Sequence, residues 1–388
     1  MSKKLIIAGG GIGGMAAAVS LHRAGFAVRV FERAPAFAEV GAGISLWPNA
    51  TRVLRSLGVL DDIVALADPV THFDLLWPDG ALISSIAMAG YAAPSLCVHR
   101  ADLHRALRRS LPEACLEANQ TLSAFADSGA GIAAKFASGL EAEADGLIGA
   151  DGINSTIRAQ LHGAAAPLYR GYQIWRAIAP APPGLARGHI SETWGAGRRF
   201  GIMPIGQGRV CWYATHNESR WGELSPIRPL GSEQSDHAAQ IREIQELFAG
   251  WHSPIAELIA STDPAAILRN DACDRNPLDC WGRGRVTLLG DAAHPITPNV
   301  GQGACMAIED GACLAKSLLA APDVAAAFRG YEVSRKSRTA FVARQARRIG
   351  MIGQWENAWI ANARNFAAGL VISHMPKSRF KAVYGYEV

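Results

Sequence analysis

The sequence predicts an α/β fold in which a Rossmann-like parallel sheet is joined to a mostly antiparallel β-sheet lobe and to C-terminal helices. Strand-like and helix-like runs alternate near the start, aromatic and β-branched runs fill the middle, and a buried strand followed by a long helix comes late. The first pattern is typical of doubly wound parallel sheets and the second of antiparallel sheets. We therefore expect the chain to leave the parallel sheet, form a second lobe and return.

Composition narrows the function classes before any motif is considered. The 388 residues are 49% hydrophobic and 19% charged, with a net charge of +4 and no Lys/Arg run, so nucleic-acid binding is not expected. No apolar stretch reaches the roughly 18 residues of a membrane span. The apolar run Leu5–Ala8 is followed at once by glycines, so it is too short for the apolar region of a signal peptide. We therefore expect a cytoplasmic protein. The 7 cysteines lack metal-binding spacing, which predicts reduced thiols and no metal site.

The first third of the chain predicts the start of the parallel sheet. Leu5–Ala8 is a candidate buried strand, Gly13–Ala24 a helix of small residues, and Ala27–Glu32 a second strand. Together they form a βαβ unit. Leu122–Phe136 and Glu143–Gly149 predict a small antiparallel layer that returns to this sheet.

The middle and the end of the chain predict a separate lobe and a return. Four runs after Leu168 are typical of an antiparallel sheet: Tyr172–Ala179, Ile190–Trp194, Phe200–Pro204 and Val210–His216. Later helices are expected at Asp236–Gly250, Ile255–Ser261 and Gly303–Leu319, with a parallel-type strand at Arg285–Gly290 and arginine-rich helical sequence after Tyr331. We divide the chain into a cofactor-binding part with inserted β segments (1–167), a β-rich substrate lobe (168–280), a return to the cofactor-binding part (281–335) and a C-terminal helical segment (336–388).

A glycine-rich motif lies between the first predicted strand and helix. The run Gly9-Gly10-Gly11-Ile12-Gly13-Gly14 fits G-x-G-x-x-G, in which successive glycines allow the tight turn, the approach of a pyrophosphate and close helix packing. The phosphates would lie at the helix N-terminus, where free N–H groups favour negative charge. Glu32 ends the second strand, where it would accept hydrogen bonds from a ribose, and Arg33 lies beside it. The motif predicts a dinucleotide but not which one.

Two segments far downstream carry a resemblance to a known family. The first is Asp145-Gly146-Leu147-Ile148-Gly149-Ala150-Asp151-Gly152-Ile153-Asn154-Ser155-Thr156-Ile157-Arg158; the second is Gly290-Asp291-Ala292-Ala293-His294-Pro295, continuing through Pro298, Gly301-Gln302-Gly303 and Glu309-Asp310. They resemble the A-D-G-x-x-S-x-x-R and G-D-A-A-H-x-x-x-P motifs of the FAD-dependent aromatic hydroxylases. These are the group A flavoprotein monooxygenases, which include para-hydroxybenzoate, salicylate and urate hydroxylases. The likeness covers nearly the whole chain and is closest to the salicylate and urate hydroxylase branch.

The resemblance implies a single-component monooxygenase with an FAD-binding parallel sheet. In such enzymes NADH or NADPH reduces non-covalent FAD, O2 adds to give a C4a-hydroperoxide, and its distal oxygen passes to a small aromatic or heteroaromatic ring. The substrate is expected to be anionic. The sequence holds no second G-x-G-x-x-G after a strand, so the NAD(P)H is expected to bind only transiently. A monomer or a homodimer is expected, with no nucleic-acid or membrane partner.

The second downstream segment supplies candidate contacts to the flavin. Asp291 follows a buried strand and would reach a ribityl or ribose hydroxyl. Gly301, Gln302 and Gly303 precede a helix whose N-terminus, in the family, faces the flavin pyrimidine edge, where negative charge accumulates on reduction. Pro298 gives this turn a fixed φ and a flat apolar surface, and we place it in both the cofactor site and the active site.

Other candidate FAD contacts come from earlier in the chain. Gly43 and Ile44 lie in a loop expected to touch FAD through backbone groups, and Arg100 lies at the start of a helix. Asp151 would pair with Arg158 across the cofactor entrance, as the resemblance implies, or the two would form a structural ion pair under the helix. The sequence leaves both alternatives open.

The substrate is expected between the flavin and the β-rich lobe. Arg199 is the leading catalytic candidate, because urate hydroxylase-like relatives carry an arginine at the matching place. Only one of Arg198 and Arg199 can point inward, since neighbouring strand residues face opposite sides. Tyr213 and His216 on the next strand are further catalytic candidates, with His216 either a base or an ordinary strand-end histidine. Relatives have a tyrosine where this sequence has Cys211, which argues against urate as the substrate.

Two alternatives remain at this stage. A flavin-dependent dehydrogenase or reductase on the same fold would share the motifs without inserting oxygen. A non-enzymatic escort protein on an FAD-type fold would lack the turn Gly301-Gln302-Gly303. The motifs favour the monooxygenase.

Overall fold

The computed structural model describes residues 3–37, 41–218, 237–374 and 377–388. Its helices are α1 (Ile12–Arg23), α2 (Pro48–Ser56), α3 (Leu60–Val64), α4 (Arg100–Arg109), α5 (Thr156–His162), α6 (His237–Leu247), α7 (Ile255–Ala260), α8 (Gly303–Ala320), α9 (Val324–Gly353), α10 (Ala358–Ser373) and α11 (Lys377–Tyr384). Its strands are β1 (Lys4–Ala8), β2 (Ala27–Phe31), β3 (Gly43–Leu46), β4 (Asp68–Pro69), β5 (His72–Leu76), β6 (Leu82–Ala87), β7 (Leu96–His99), β8 (Leu116–Glu117), β9 (Leu122–Asp127), β10 (Ile132–Phe136), β11 (Glu141–Ala144), β12 (Gly146–Gly149), β13 (Leu168–Pro180), β14 (His189–Trp194), β15 (Arg198–Pro204), β16 (Arg209–Asn217), β17 (Leu268–Asp274) and β18 (Val286–Leu288).

A parallel sheet with the strand order β18-β12-β1-β2-β8 forms the centre of the cofactor-binding body. Leu5–Ala8 of β1 are at most 3% exposed, and α1 packs against α8 on one side of the sheet. A strand covered on both faces is apolar throughout, which is why the run was visible in the sequence. The predicted βαβ opening and the later return of a strand and a helix are confirmed.

The predicted antiparallel layer is also confirmed. β9, β10 and β11 form a three-stranded antiparallel sheet, and β12 then runs beside β1 in the parallel sheet. A second small sheet, β3-β7-β4, lies at the boundary between the body and the second lobe.

The second lobe is built on a seven-stranded sheet with the order β17-β13-β16-β15-β14-β5-β6. Its pairs are antiparallel except for β14 with β5, which is parallel. β5 and β6 come from residues 72–87, inside the segment that the sequence division gave to the cofactor-binding part. They join the lobe because β5 pairs with the free edge of β14. This pairing joins segments far apart in the chain, so local sequence does not predict it.

The two faces of this sheet have different partners. Trp175, Phe200 and Trp212 point to one face and form a core with Phe248 and Ile255 from the α6–α7 region. The predicted helix at Asp236–Gly250 is confirmed from His237, while Asp236 lies outside the described residues. The opposite face packs on the body through residues that include Ile190 and Cys211.

Three helices complete the chain, as expected for the C-terminal segment. α9 is 30 residues long and packs along α8. α10 contains the apolar run Phe366–Ser373 and packs on β6, although Trp359 and Phe366 remain 85% and 68% exposed. Within the described ranges, no helix combines the length and the apolarity that crossing a membrane requires.

Candidate active site

The loop between β1 and α1 has the geometry of a phosphate-binding turn. Gly9 has a φ of 109°, and a Cβ there would lie 2.2 Å from the carbonyl oxygen of Ala150, so only glycine fits. A Cβ on Gly14 would lie 1.9 Å from the oxygen of Gly9, which shows how closely α1 approaches the loop. Gly11 is the N-cap of α1 and provides no capping side chain. The first N–H groups of the helix, beginning at Ile12, therefore suit an anionic ligand.

Gly13 and Glu32 complete this side of the groove. A Cβ on Gly13 would lie 3.0 Å from Cβ of Ala307, so the glycine lets α1 pack against α8. Oε2 of Glu32 accepts the N–H of Gly10 at 2.7 Å, and Oε1 accepts the N–H of Ala34 at 2.8 Å. These bonds hold the carboxylate beside the phosphate turn and leave lone pairs for a ribose hydroxyl. The neighbouring Arg33 has an exposed side chain.

A second helix N-terminus lies at the predicted flavin-facing turn. Pro298 opens a 3-10 turn, and Gly301 then takes the left-handed conformation with a φ of 59°. α8 begins at Gly303, and its N-cap residue Gln302 makes no capping hydrogen bond. The buried Gln302 side chain instead accepts a hydrogen bond from Asn49 Nδ2 at 2.9 Å. The first N–H groups of α8 are thus free of side-chain caps, as a site for developing negative charge requires.

Buried charges anchor α8 to the turn that carries Asp291. Asp310 accepts hydrogen bonds from Nε2 of His294 at 2.6 Å, Nε of Arg335 at 2.7 Å and the N–H of Gly290 at 3.0 Å. Glu309 beside it receives Nη2 of Arg335 at 2.5 Å. Burial opposes ionisation of Asp310, but His294 and Arg335 outweigh it and lower the pKa of its carboxyl to about 2.

Asp291 lies in the short turn after β18, where the sequence placed it. Its side chain is exposed, yet burial among neighbouring groups raises the pKa of its carboxyl, while His294 and Arg100 act in the opposite direction. The Asp291 carboxylate is thus surrounded by protein but still accessible to solvent. Such a side chain lies in the wall of a groove. Arg100 is the first residue of α4, and its side chain packs against the backbone of Gly41. A Cβ on Gly41 would lie 3.0 Å from Cδ of Arg100.

β3 brings the predicted contacts Gly43 and Ile44 to the junction of the body and the lobe. A Cβ on Gly43 would lie 2.6 Å from Cβ of Cys211 in β16, so the lobe packs directly on this backbone. Burial raises the pKa of the Cys211 thiol to about 11, which keeps it protonated and unreactive. The residue that departs from the family pattern is therefore a packing contact between the two halves.

Asp151 and Arg158 do not pair with each other, so neither sequence alternative holds. Asp151 Oδ2 accepts the N–H of Thr156 at 2.8 Å and caps the start of α5. Arg158 reaches the other way, and its Nη1 donates to the carbonyl oxygens of Ala292 and Ala293 at 3.0 and 3.1 Å. Arg158 thereby holds the turn that follows Asp291.

A buried polar cluster occupies the lobe face that meets the groove. Arg199 is 2% exposed; its Nη1 donates to Glu192 at 2.8 Å, its Nη2 to Oδ1 of Asn299 at 2.7 Å and its Nε to Oε1 of Gln354 at 2.8 Å. Tyr213 lies on the same face, and the Glu192 carboxylate raises the pKa of its hydroxyl. Arg199 is thus linked to the turn before α8 through Asn299, the residue after Pro298.

The protonation of this cluster follows from burial and pairing. Burial opposes the charge on Arg199, but Glu192, Tyr172 and Tyr213 outweigh it and raise its pKa. Burial and then Glu192 raise the pKa of the Tyr213 hydroxyl well above its usual value. The cluster therefore holds a charged guanidinium, a matching carboxylate and a neutral phenol.

His216 lies on the wrong face of the sheet for a role beside Arg199 and Tyr213. It pairs across strands with Arg198, whereas Arg199 pairs with Thr215. Arg198 donates to the carbonyl oxygen of Leu247 and lies over the ring of Trp251 at 5.9 Å, so it belongs to the helix-covered face. Because neighbouring residues alternate, His216 shares that face. Of the predicted catalytic residues, the structure brings together Arg199, Tyr213 and Pro298.

Three members of the polar cluster were missed by sequence reasoning. Glu192 lies in a predicted strand, but nothing local distinguishes it from a solvated charge. Asn299 follows Pro298 directly, so the motif could have predicted that Asn299 lies beside the turn. Gln354 comes from the last residues before α10, 155 positions after Arg199, and no sequence signal connects the two.

The groove fits FAD on the geometry described. Two helix N-termini without side-chain caps lie on it, one suited to a pyrophosphate and the other to the flavin edge. Glu32 and Asp291 supply carboxylates at two points along it. Within the described ranges, no cluster of His, Cys, Asp and Glu has the geometry of a metal site.

Comparisons with known proteins agree with this geometry. The family model described as FAD binding domain matches residues 3–348. The chain is 41% identical over 359 residues to Aurachin C monooxygenase/isomerase of Stigmatella aurantiaca, covering 92% of this chain and 91% of that protein. It is 36% identical to 6-hydroxynicotinate 3-monooxygenase of Pseudomonas fluorescens, covering 88% and 90%. The crystal structure of Klebsiella pneumoniae HpxO complexed with FAD and uric acid matches with a TM-score of 0.84 at 28% identity, covering 95% and 93%.

The fold, the groove and the relatives define an FAD-dependent enzyme of the aromatic-hydroxylase type. The chain belongs to the FAD binding domain family, in which its relatives are group A flavin monooxygenases that include aromatic and urate hydroxylases.

Proposed function

We propose that this protein is an FAD-dependent, NAD(P)H-using monooxygenase that hydroxylates a small aromatic or heteroaromatic substrate. The observation that carries the proposal is the 2.7 Å hydrogen bond from Arg199 to Asn299, which holds the polar face of the lobe against the turn before α8. A substrate bound there would lie between this face and the flavin. Bound FAD supplies the electron transfer and the oxygen activation.

The residues of the chain have separate tasks in this proposal. The N–H groups at the start of α8 stabilise negative charge at the flavin edge. Asp291 and Glu32 hold hydroxyl groups of the cofactor. Arg199 and Tyr213 orient the substrate, with the phenol of Tyr213 available as a neutral hydrogen-bonding group. The packed lobe keeps water from the reacting atoms.

An anionic substrate is supported by Arg176 rather than by Arg199. The charge of Arg199 is matched by Glu192 at 2.8 Å, whereas Arg176 on the same face donates to the neutral amide of Asn270 at 2.8 Å. Within the described part of the chain, Arg176 forms no ion pair with a carboxylate. Burial, together with Arg100, lowers the pKa of Arg176, so an added anion would be favourable there. We propose hydroxylated aromatic or heteroaromatic acids as the substrate class.

The proposal is tested by screening such acids with the purified FAD-loaded protein. NADH and NADPH oxidation are measured separately with and without each acid, and products formed under 18O2 are analysed by mass spectrometry. The expected result is faster NAD(P)H oxidation and a product that gains one labelled oxygen. The same reactions without O2 are the control. A stimulated oxidation whose product contains no labelled oxygen would instead identify a dehydrogenase or reductase on this fold.

A further inference from the structure

The last helix of the chain packs against α9 and has defined neighbours. Arg338 donates hydrogen bonds to the carbonyl oxygens of Ala382 and Val383, both at 2.6 Å. The ring of Tyr386 lies over the guanidinium groups of Arg335 and Arg338, 5.3 and 4.8 Å from its centroid. Arg335 also pairs with the buried carboxylates of Glu309 and Asp310 in α8. The end of α11 is therefore held to the same charged cluster that fixes the flavin-facing helix.

Tyr384, on the last turn of α11, contacts the cofactor side of the active site. Its ring packs on Trp47, with centroids 4.8 Å apart and an interplanar angle of 49°. Trp47 donates from Nε1 to the carbonyl oxygen of Gly301 at 3.0 Å. Gly301 immediately precedes the N-cap of α8. Tyr384 is thus connected through one side chain to the turn where the flavin edge would lie.

The surroundings of the Tyr384 hydroxyl favour its neutral form. Burial raises the pKa of its hydroxyl, and Tyr91, Cys305 and Glu192 act in the same direction. Cys305 lies in the first turn of α8 and Glu192 on the polar face of the lobe, so acidic groups from both sides of the site favour the neutral form of this hydroxyl. The side chain nevertheless keeps partial solvent exposure, as expected for the wall of a cavity. Among the described residues, none hydrogen-bonds to its hydroxyl.

We infer that Tyr384 determines substrate specificity: its neutral phenol hydrogen-bonds a polar ring substituent of the aromatic substrate. The inference rests on the proposed function and deepens it. Trp47 and Tyr384 form an aromatic wall on one side of the substrate site, and the Glu192–Arg199 pair forms a polar wall on the other. A hydroxyl, oxo or carboxylate oxygen on the ring supplies the partner that the Tyr384 hydroxyl lacks in the protein.

The test compares Tyr384→Phe with Tyr386→Phe in the FAD-loaded protein. Tyr384→Phe keeps the ring on Trp47 and removes only the hydroxyl, while Tyr386→Phe makes the same change two residues away, over the arginines. The probes are 6-hydroxynicotinate, 4-hydroxybenzoate, salicylate and uric acid, titrated while the flavin absorption spectrum is recorded. For the probe that wild type binds best, the Kd of Tyr384→Phe should rise roughly three- to tenfold, the loss of one neutral hydrogen bond. FAD content and Tm should not change, and Tyr386→Phe should keep the wild-type Kd.

Failure of this inference is distinguishable from failure of the proposed function. If wild type and Tyr384→Phe bind the probe equally, the role of Tyr384 is wrong and the proposed function stands. If Tyr384→Phe loses FAD or unfolds at a lower temperature, the hydroxyl has a structural role and the inference is also wrong. If no probe perturbs the flavin spectrum of wild type, the proposed substrate class and the inference are both contradicted.

Discussion

Glu192 and Arg199 form an ion pair of 2.8 Å between side chains that are 6% and 2% exposed. Taking two charges out of water is costly, and the cost is offset here by further hydrogen bonds from Arg199 to Gln354 and Asn299. Asn299 belongs to the turn before α8, and Gln354 to the end of α9. The pair therefore joins the lobe to both the flavin-facing turn and the C-terminal helices.

Breaking one half of this pair should destabilise the protein more than removing both charges. Glu192→Gln and Arg199→Gln should each lower the free energy of unfolding by about 3–5 kcal/mol, because each leaves a buried unpaired charge. The double variant should lose less than either single variant. Denaturant unfolding of all four proteins measures the coupling. Strictly additive losses would show that the two side chains act independently.

Arg199→Gln should also separate NAD(P)H oxidation from hydroxylation. A substrate that is no longer held against the flavin leaves activated oxygen to escape as H2O2, so peroxide per NAD(P)H should rise while FAD stays bound. Arg198→Gln is the matched control, since Arg198 lies on the helix-covered face. A larger loss of coupling in Arg198→Gln would place the active site on the other face.

Tyr213→Phe should impair turnover, whereas His216→Ala should leave it within about twofold of wild type. In the proposed function the Tyr213 hydroxyl hydrogen-bonds the substrate, and the loss of that bond costs about 1 kcal/mol. His216 faces the side of the sheet covered by α6. The measurement is kcat and KM for the substrate found in the screen. A strong effect of His216→Ala on kcat would restore the histidine as a candidate base.

Asp291→Ala should weaken FAD binding at least tenfold. The lost contact is a charge-assisted hydrogen bond, worth about 1.5–3 kcal/mol. Asp79→Ala is the control, because Asp79 is exposed and, among the described residues, accepts only the local N–H of Ala81 at 2.9 Å. Fluorescence titration of the apoprotein with FAD gives both affinities. An unchanged Kd for Asp291→Ala would remove this residue from the cofactor site.

Asp310 should make stability fall in acid. His294 and Arg335 lower the pKa of its carboxyl from 3.8 to about 2 in the folded protein. A depressed folded pKa contributes stability that is present above the unfolded pKa and is lost as pH falls from about 4 toward 2. The contribution is about 2 kcal/mol. The stability difference between wild type and Asp310→Asn, measured by denaturant unfolding at fixed ionic strength, should narrow over that range. A difference independent of pH would contradict the assignment.

Much of the cofactor groove could be predicted because its signals are local. Gly9 and Gly14 are required by backbone contacts within the loop and its neighbour strand, and Glu32 ends the second strand of the same unit. The turn from Pro298 to Gly303 likewise combines a fixed φ, a left-handed glycine and a helix start within six residues. Spacing identifies such features because the turns are formed by residues a few positions apart, although Gly9 also packs against Ala150 from far along the chain.

The substrate side depended on contacts that no local pattern specifies. The alternation rule correctly separated Arg198 from Arg199 but did not say which residues would meet Arg199. It also separated His216 from Tyr213, and the register of β16 against β15 then showed that His216 lies on the face of Arg198. Asp151 and Arg158, seven residues apart, could be proposed as a pair, yet each reaches a different backbone partner.

By itself, the sequence determined the parallel-sheet body, the glycine-rich turn and the family resemblance, because strand, helix and turn propensities act over a few residues. Only the tertiary structure decided that residues 72–87 join the lobe, that Glu192 neutralises Arg199, and that Tyr384 lies beside Trp47. Those contacts join segments that are far apart in the chain, and burial decides among them. A buried charge must find its partner wherever the packed chain brings one.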